Sequence, residues 1–176
     1  MEPKMALKEP ALSPNPELSL VAPVYNEQAV LPEFMERMEG VLGALGMTWE
    51  LIFVDDGSRD RTGEMIKGFH QKDGRVKAIT FSRNFGHQIA VTAGINEAQG
   101  DAVVIIDADL QDPPEVIGEF VKKWREGYHV VYGMRKSRLG ETWFKRTSAA
   151  QFYKLIRWLS GIEIPENAGD FRLLDR

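Results

Sequence analysis

The chain has 176 residues, 43% apolar and 27% charged, with 22 basic and 26 acidic side chains for a formal charge of −4. That length supports one domain with a sizeable core, and that balance excludes a disordered chain. No cysteine is present, which removes disulfide and thiol chemistry, and no run reaches the roughly 18 apolar residues of a transmembrane helix.

Residues 1–17 hold four prolines and no apolar periodicity, and read as a flexible leader ahead of a single domain, 18–176. Leu18 to Val24 is a first strand ending in PVYNE, Pro23 to Glu27. Leu31, Phe34, Met35, Met38, Val41, Leu42 and Leu45 then recur at helical spacing, with Pro32 in the first turn. Trp49 to Asp55 is a second strand running into DDGSRDRT, where Gly57 permits a tight turn and Asp60 is the expected N-cap of a helix through Lys72.

Val76 to Ser82 is a third strand, followed by SRNFGHQ and a small-residue helix from Ile89 to Ala98. A fourth strand spans Asp101 to Asp107, with a helix from Pro114 to Glu126, a fifth strand from His129 to Met134, and a returning strand over Asn167 to Arg176. Alternation of strand and helix with short loops predicts an α/β domain with a mostly parallel sheet flanked by helices. Ligands of such sheets bind at the carboxyl ends of the strands, and here each strand ends in a polar motif.

Charge is unevenly placed. Met134 to Trp158 carries seven basic residues against one acid, leaving −10 on the remainder. Within it, Trp143 to Ser160 reads as an amphipathic, basic helix, with Ala149, Phe152, Leu155, Ile156 and Leu159 on one stripe and Arg146, Lys154 and Arg157 on another. An ordinary surface helix with solvated charges gives the same pattern. Membrane surfaces or phosphates fit the basic segment better than nucleic acid, for which no binding motif accompanies it.

The stretch around which the chain is organised is VVIIDADLQDPPE, Val103 to Glu115. Continued as an extended segment, it would set Asp107, Asp109 and Gln111 on one face. Carboxylate and amide oxygens with no Cys or His nearby in the sequence suit Mg²⁺ or Mn²⁺ rather than zinc or copper. An acidic loop in which Asp112 caps the following helix would explain one of the four polar residues Asp107, Asp109, Gln111 and Asp112. A metal, several acids and a basic segment together suit a substrate with two phosphates. Asp56 and Tyr25 could meet a base, although Asp55 and Asp56 could equally close a turn with Gly57.

The motifs Pro23–Glu27, Asp55–Thr62, Ser82–Gln88, Asp107–Glu115 and Gly169–Arg176 occur in the order seen in family-2 glycosyltransferases of the GT-A fold. The chain resembles the polyprenyl-phosphate group of that family, which includes dolichol-phosphate mannose synthase and bacterial undecaprenyl-phosphate glucosyltransferases. The resemblance implies an inverting transfer from a nucleotide-diphosphate sugar, UDP-glucose by preference, to a polyprenyl phosphate at the cytoplasmic membrane face. It implies Pro23, Tyr25, Glu27, Asp56 and Asp107 around the donor nucleotide, and a metal on Asp107, Asp109 and Gln111. Arg83, Asn84, Arg135, Arg138 and Arg146 would serve the sugar and lipid-phosphate side.

Asp109 and Asp170 are the candidate catalytic residues. A lipid phosphate is already anionic, so Asp170 is expected to orient acceptor or sugar, with its loss costing less than that of Asp109. Pairing of Asp170 with Arg172 or Arg176 is the structural alternative. His87 stands where relatives would carry lysine, with no role assigned. The resemblance further implies transmembrane helices beyond the end of this chain and a capacity to self-associate. A hydroxyl acceptor, or a non-catalytic nucleotide- or membrane-binding module, are the rival functions.

Overall fold

A computed structural model describes residues 15–134 and 168–176. Residues 1–14 of the expected leader over 1–17, the amphipathic helix over 143–160, and Arg135, Arg138 and Arg146 lie outside the described residues. The strands are β1 (Leu18–Val24), β2 (Trp49–Asp55), β3 (Val76–Thr80), β4 (Ala102–Ile105), β5 (Val130–Met134) and β6 (Ala168–Asp175). The helices are α1 (Leu31–Leu45), α2 (Thr62–Lys72), α3 (His87–Glu97) and α4 (Ile117–Arg125), the last preceded by a 3₁₀ turn at Pro114–Val116.

One six-stranded sheet runs in the order β3-β2-β1-β4-β6-β5. β1 pairs in parallel with β2 and β4, and β2 with β3, whereas β6 is antiparallel to both β4 and β5. The apolar runs of β1 and β2 are buried along their whole length, as both faces of a parallel sheet require. On one face Phe34, Met38 and Leu42 of α1, Ile66 of α2 and Ile117, Phe120 and Val121 of α4 close over Leu18, Leu20, Leu51, Phe53 and Val104. On the other, Ala90 of α3 packs with Val21, Ile52, Val54 and Val103. Gly94 allows this close approach, because a Cβ there would overlap Val21 Cγ1.

The first three strands step outward from β1, and the chain then crosses to the other side of β1 to lay down β4. Strand order therefore reverses between β1 and β4, where a crevice opens beyond the carboxyl ends of the strands.

Three sequence expectations need correction. The fourth strand ends at Ile105 rather than Asp107, and Leu110 adopts a left-handed φ of 61°. Asp109 Oδ1 accepts a hydrogen bond from the Gln111 amide at 3.0 Å, so this segment turns and the one-face alternation of Asp107, Asp109 and Gln111 does not hold. The N-cap of α2 is Arg61; Asp60 serves the same turn from one position earlier, accepting from the Thr62 amide at 3.0 Å. Finally, α3 starts at His87, not Ile89, which puts that imidazole in the first helical turn.

Candidate active site

Beyond the ends of β1, β2 and β4 lies a cavity of about 320 Å³. Pro23, Tyr25 and Glu27 line it from β1 and the following loop, Asp56 from the end of β2, Asn84, Gly86 and His87 from the start of α3, and Asp107 and Asp109 from the turn after β4. Sequence-distant motifs thus share one rim, as the parallel topology dictates.

The PVYNE and DDGSRDRT loops are laced together. Ser58 Oγ accepts from the Asn26 amide at 2.9 Å, and Asn26 Oδ1 in turn accepts from the Arg59 amide at 2.8 Å. Thr62 Oγ1 accepts from the Glu27 amide at 2.9 Å, fixing the backbone that carries the Glu27 carboxylate. Gly57, at φ 72°, passes so close to the chain of Arg83 and Asn84 that a Cβ would stand 2.8 Å from the Asn84 nitrogen. Only glycine meets both demands.

Asp56 is buried, and its two oxygens accept from the Phe85 and Gly86 amides at 2.7 and 2.9 Å. It therefore anchors the turn that launches α3 while lining the cavity. Asp55 Oδ1 accepts from the Ser58 amide at 2.8 Å, the turn-closing role weighed for it above.

Asp107 and Asp170 meet because β6 pairs with β4. Ile105, the last residue of β4, stands opposite Arg172 in the antiparallel β4–β6 pair, and the turn that follows β4 leaves Asp107 within 4.8 Å of Asp170. Into this corner α3 delivers His87, whose Nε2 lies 3.4 Å from Asp170 Oδ2 and 3.8 Å from Asp107 Oδ1. Asp170 thus faces His87, while Arg176 donates to the Ala98 carbonyl at 2.5 Å. Asp107 Oδ1 is buried without a hydrogen-bond partner.

The carboxylates crowd one another. Burial raises the Asp107 pKa above the usual aspartate range, His87 pulls it back down, and Asp109, Asp170 and Asp112 push it up again. Glu27 is likewise raised, by burial first and then by Asp109, Asp60 and Asp107. Such a concentration of repelling acids has the donor chemistry to hold a cation.

Of the residues singled out in the sequence, Pro23, Tyr25, Glu27, Asp56, Asn84, Asp107 and Asp109 line the cavity, and Asp170 reaches its corner through His87. Gln111 is exposed and absent from the lining, and Arg83 stacks over the Phe85 ring at 4.5 Å instead. Sequence reasoning left His87 unassigned; its one visible signal was a histidine where lysine was expected.

The Rossmann-like sheet, with an acid-lined crevice at its switch point, has the architecture of the GT-A fold. The sequence profile described as glycosyl transferase family 2 matches residues 19–176, and the chain belongs to that family. Over 160 residues, 91% of the chain, it is 54% identical to the uncharacterized glycosyltransferase YkcC of Bacillus subtilis (strain 168), covering 50% of that protein. It is 40% identical over the same length to a prophage bactoprenol glucosyl transferase homolog of Escherichia coli (strain K12), covering 52% of it. The chain thus spans about half the length of the curated relatives it matches. Among solved structures, a mannosyltransferase of Pyrobaculum calidifontis in complex with GDP-Man and Mn²⁺ superposes with a TM-score of 0.62 at 17% identity, over 92% of this chain and 45% of that one.

Proposed function

We propose that this chain is the catalytic domain of an inverting hexosyltransferase. It would move a hexose, with UDP-glucose the preferred donor, from a nucleotide diphosphate to a polyprenyl phosphate at the cytoplasmic face of a membrane. One observation carries the reading: Glu27, Asp56, Asp107 and Asp109 converge from three strand ends on a single cavity at the switch point of the sheet. The acceptor class and the glucosyl group are supported by the bactoprenol glucosyl transferase homology, and UDP by the SRNFG segment, Ser82–Gly86.

In this reading Pro23, Tyr25 and Asp56 surround the nucleoside. The donor set also fits a divalent cation, since Asp107 presents a buried oxygen that no protein donor satisfies, among acids that raise one another's pKa. Asp107 and Asp109 would hold that ion, and the Pyrobaculum mannosyltransferase was solved with Mn²⁺. When bound, the ion supplies positive charge to the departing diphosphate. Asn84 addresses the sugar from the start of α3. Asp170, at the corner opposite Asp107, orients sugar or acceptor. The acceptor phosphate arrives already ionised and needs alignment rather than a general base. Arg83, Arg135, Arg138 and Arg146 supply the positive charge that a lipid phosphate calls for.

Thermal denaturation with UDP, GDP and CDP, each with and without Mn²⁺, tests this. At about 100 Kd a native-state ligand adds ~2.7 kcal/mol. Stabilisation by UDP that requires both the ion and Asp109, and so is lost in Asp109→Asn, is the expected result. A chain that no nucleotide stabilises under any condition refutes it.

A further inference from the structure

We infer that His87 and Asp170 together read a hydroxyl of the transferred hexose: His87 Nε2–H holds one oxygen of the Asp170 carboxylate, and the other oxygen accepts from the sugar. This inference rests on the reading above that a nucleotide-linked hexose occupies the cavity. It assigns Asp170 to the sugar rather than to the acceptor, and it gives His87 a part that motif spacing left blank.

The imidazole faces two carboxylates, its Nε2 standing 3.4 Å from Asp170 Oδ2 and 3.8 Å from Asp107 Oδ1. A ring nitrogen between two anionic oxygens carries hydrogen, because a lone pair there would be repelled. Asp170 is the nearer of the two. No arginine competes for it among the described residues: Arg176 donates to the Ala98 carbonyl, and Arg172 Nε is buried without a partner. With Oδ2 turned to the imidazole and the side chain 44% exposed, Asp170 keeps its second oxygen for a ligand.

Chemistry selects the reactant. A carboxylate only accepts hydrogen bonds, whereas the oxygens of an ionised lipid phosphate are acceptors of the same sign of charge. The hydroxyls of a hexose are donors, and they match Asp170. His87 is thus a positioning residue, acting through Asp170. Both partners ride on anchored elements. His87 follows Gly86, whose amide, with that of Phe85, is gripped by the buried Asp56 carboxylate, and Asp170 is built into β6 between β4 and β5. Anchoring of this kind holds a recognition group within about 0.5 Å of its working position. The lysine expected at position 87 would offer the same N–H donor on a longer stem.

Calorimetric binding of UDP-glucose and its 2-, 3-, 4- and 6-deoxy analogues, with Mn²⁺ present, tests this without turnover. The wild type should bind at least one analogue about tenfold or more weakly than UDP-glucose, as loss of a hydrogen bond to a charged group requires. That gap should fall to about twofold or less in Asp170→Ala and shrink in His87→Ala. The double variant should discriminate no worse than Asp170→Ala alone. His87→Gln and His87→Lys, which keep an N–H donor, should retain most of the gap, and every variant should bind UDP itself as the wild type does. A wild type that binds UDP-glucose and all four analogues alike, or a gap that persists in both alanine variants, would overturn the inference and leave the transferase reading standing. Loss of farnesyl phosphate binding in Asp170→Ala with hexose discrimination intact would also overturn it, by giving Asp170 to the acceptor. Failure of the wild type to bind either UDP or UDP-glucose would overturn both.

Discussion

Gly94→Ala tests how tightly α3 must sit for the site to form. The added Cβ would overlap Val21 Cγ1 and stand 3.1 Å from Val54 Cγ2 and 3.2 Å from Val21 Cγ2. Ordinary carbon contacts lie at about 3.5–4.0 Å, so helix and sheet must part by on the order of 1 Å. Neither neighbour can yield easily, because both valines are fully buried and β-branched side chains are stiff at χ1. Overpacking of this kind costs up to about 3 kcal/mol, and alanine returns about 1 kcal/mol through helix propensity.

The net loss is therefore about 2 kcal/mol, or a fall in Tm of roughly 4–8 °C for a domain of this size. Because α3 carries His87 at its start, the same displacement should lower donor affinity. Urea denaturation of Gly94→Ala, Val21→Ala and the double variant gives the coupling. Val21→Ala opens the space that the new methyl needs, so the double variant should be no less stable than Val21→Ala alone. A Gly94→Ala protein melting at or above wild type would show that propensity outweighs packing and that α3 has room to spare.

Three further outcomes are expected. Glu50 is buried, accepting from Ser19 Oγ at 2.5 Å and the Gln99 amide at 2.7 Å and pairing with Lys77 Nζ at 2.5 Å. Burial raises its pKa, but Lys77, Ser19 and Gln99 outweigh this and hold it below the usual glutamate range. Its stabilisation is thus complete above that range and lost as pH falls through the depressed value. Glu50→Gln should cost about 1.5–3 kcal/mol at neutral pH by chemical denaturation, with the gap to wild type closing in acid. Asp107 and Glu27 have the opposite sign: with raised pKa values, the stability they contribute is present below the usual carboxylate range and lost as pH rises through the raised values. Metal-free Asp107→Asn should therefore melt above wild type at neutral pH, an advantage that disappears in acid, and Mn²⁺ should raise the Tm of the wild type far more than that of the variant. Asp56→Ala frees two amides held by a carboxylate, and should cost about 1.5–3 kcal/mol and speed hydrogen exchange at Phe85 and Gly86; unchanged exchange there would refute its anchoring role.

The sequence by itself determined the elements and their order. The continuous apolar runs at Leu18–Val24 and Trp49–Asp55 and the 3.6-residue spacing from Leu31 to Leu45 are local patterns, readable without neighbours. Strand–helix alternation then implied a parallel sheet, and with it a site at the strand ends where Glu27, Asp56 and Asp107 were sought. Tertiary structure decided which side chains meet there. That β6 inserts between β4 and β5, and that its pairing with β4 brings Asp170 near Asp107, are long-range choices with no local periodicity to announce them. The left-handed turn at Leu110 was hidden for a different reason: leucine rarely adopts that conformation, so nothing in DADLQ warned that Gln111 would leave the face of Asp107. His87 gained its neighbours only when the buried Asp56 carboxylate, distant in sequence, fixed where α3 begins.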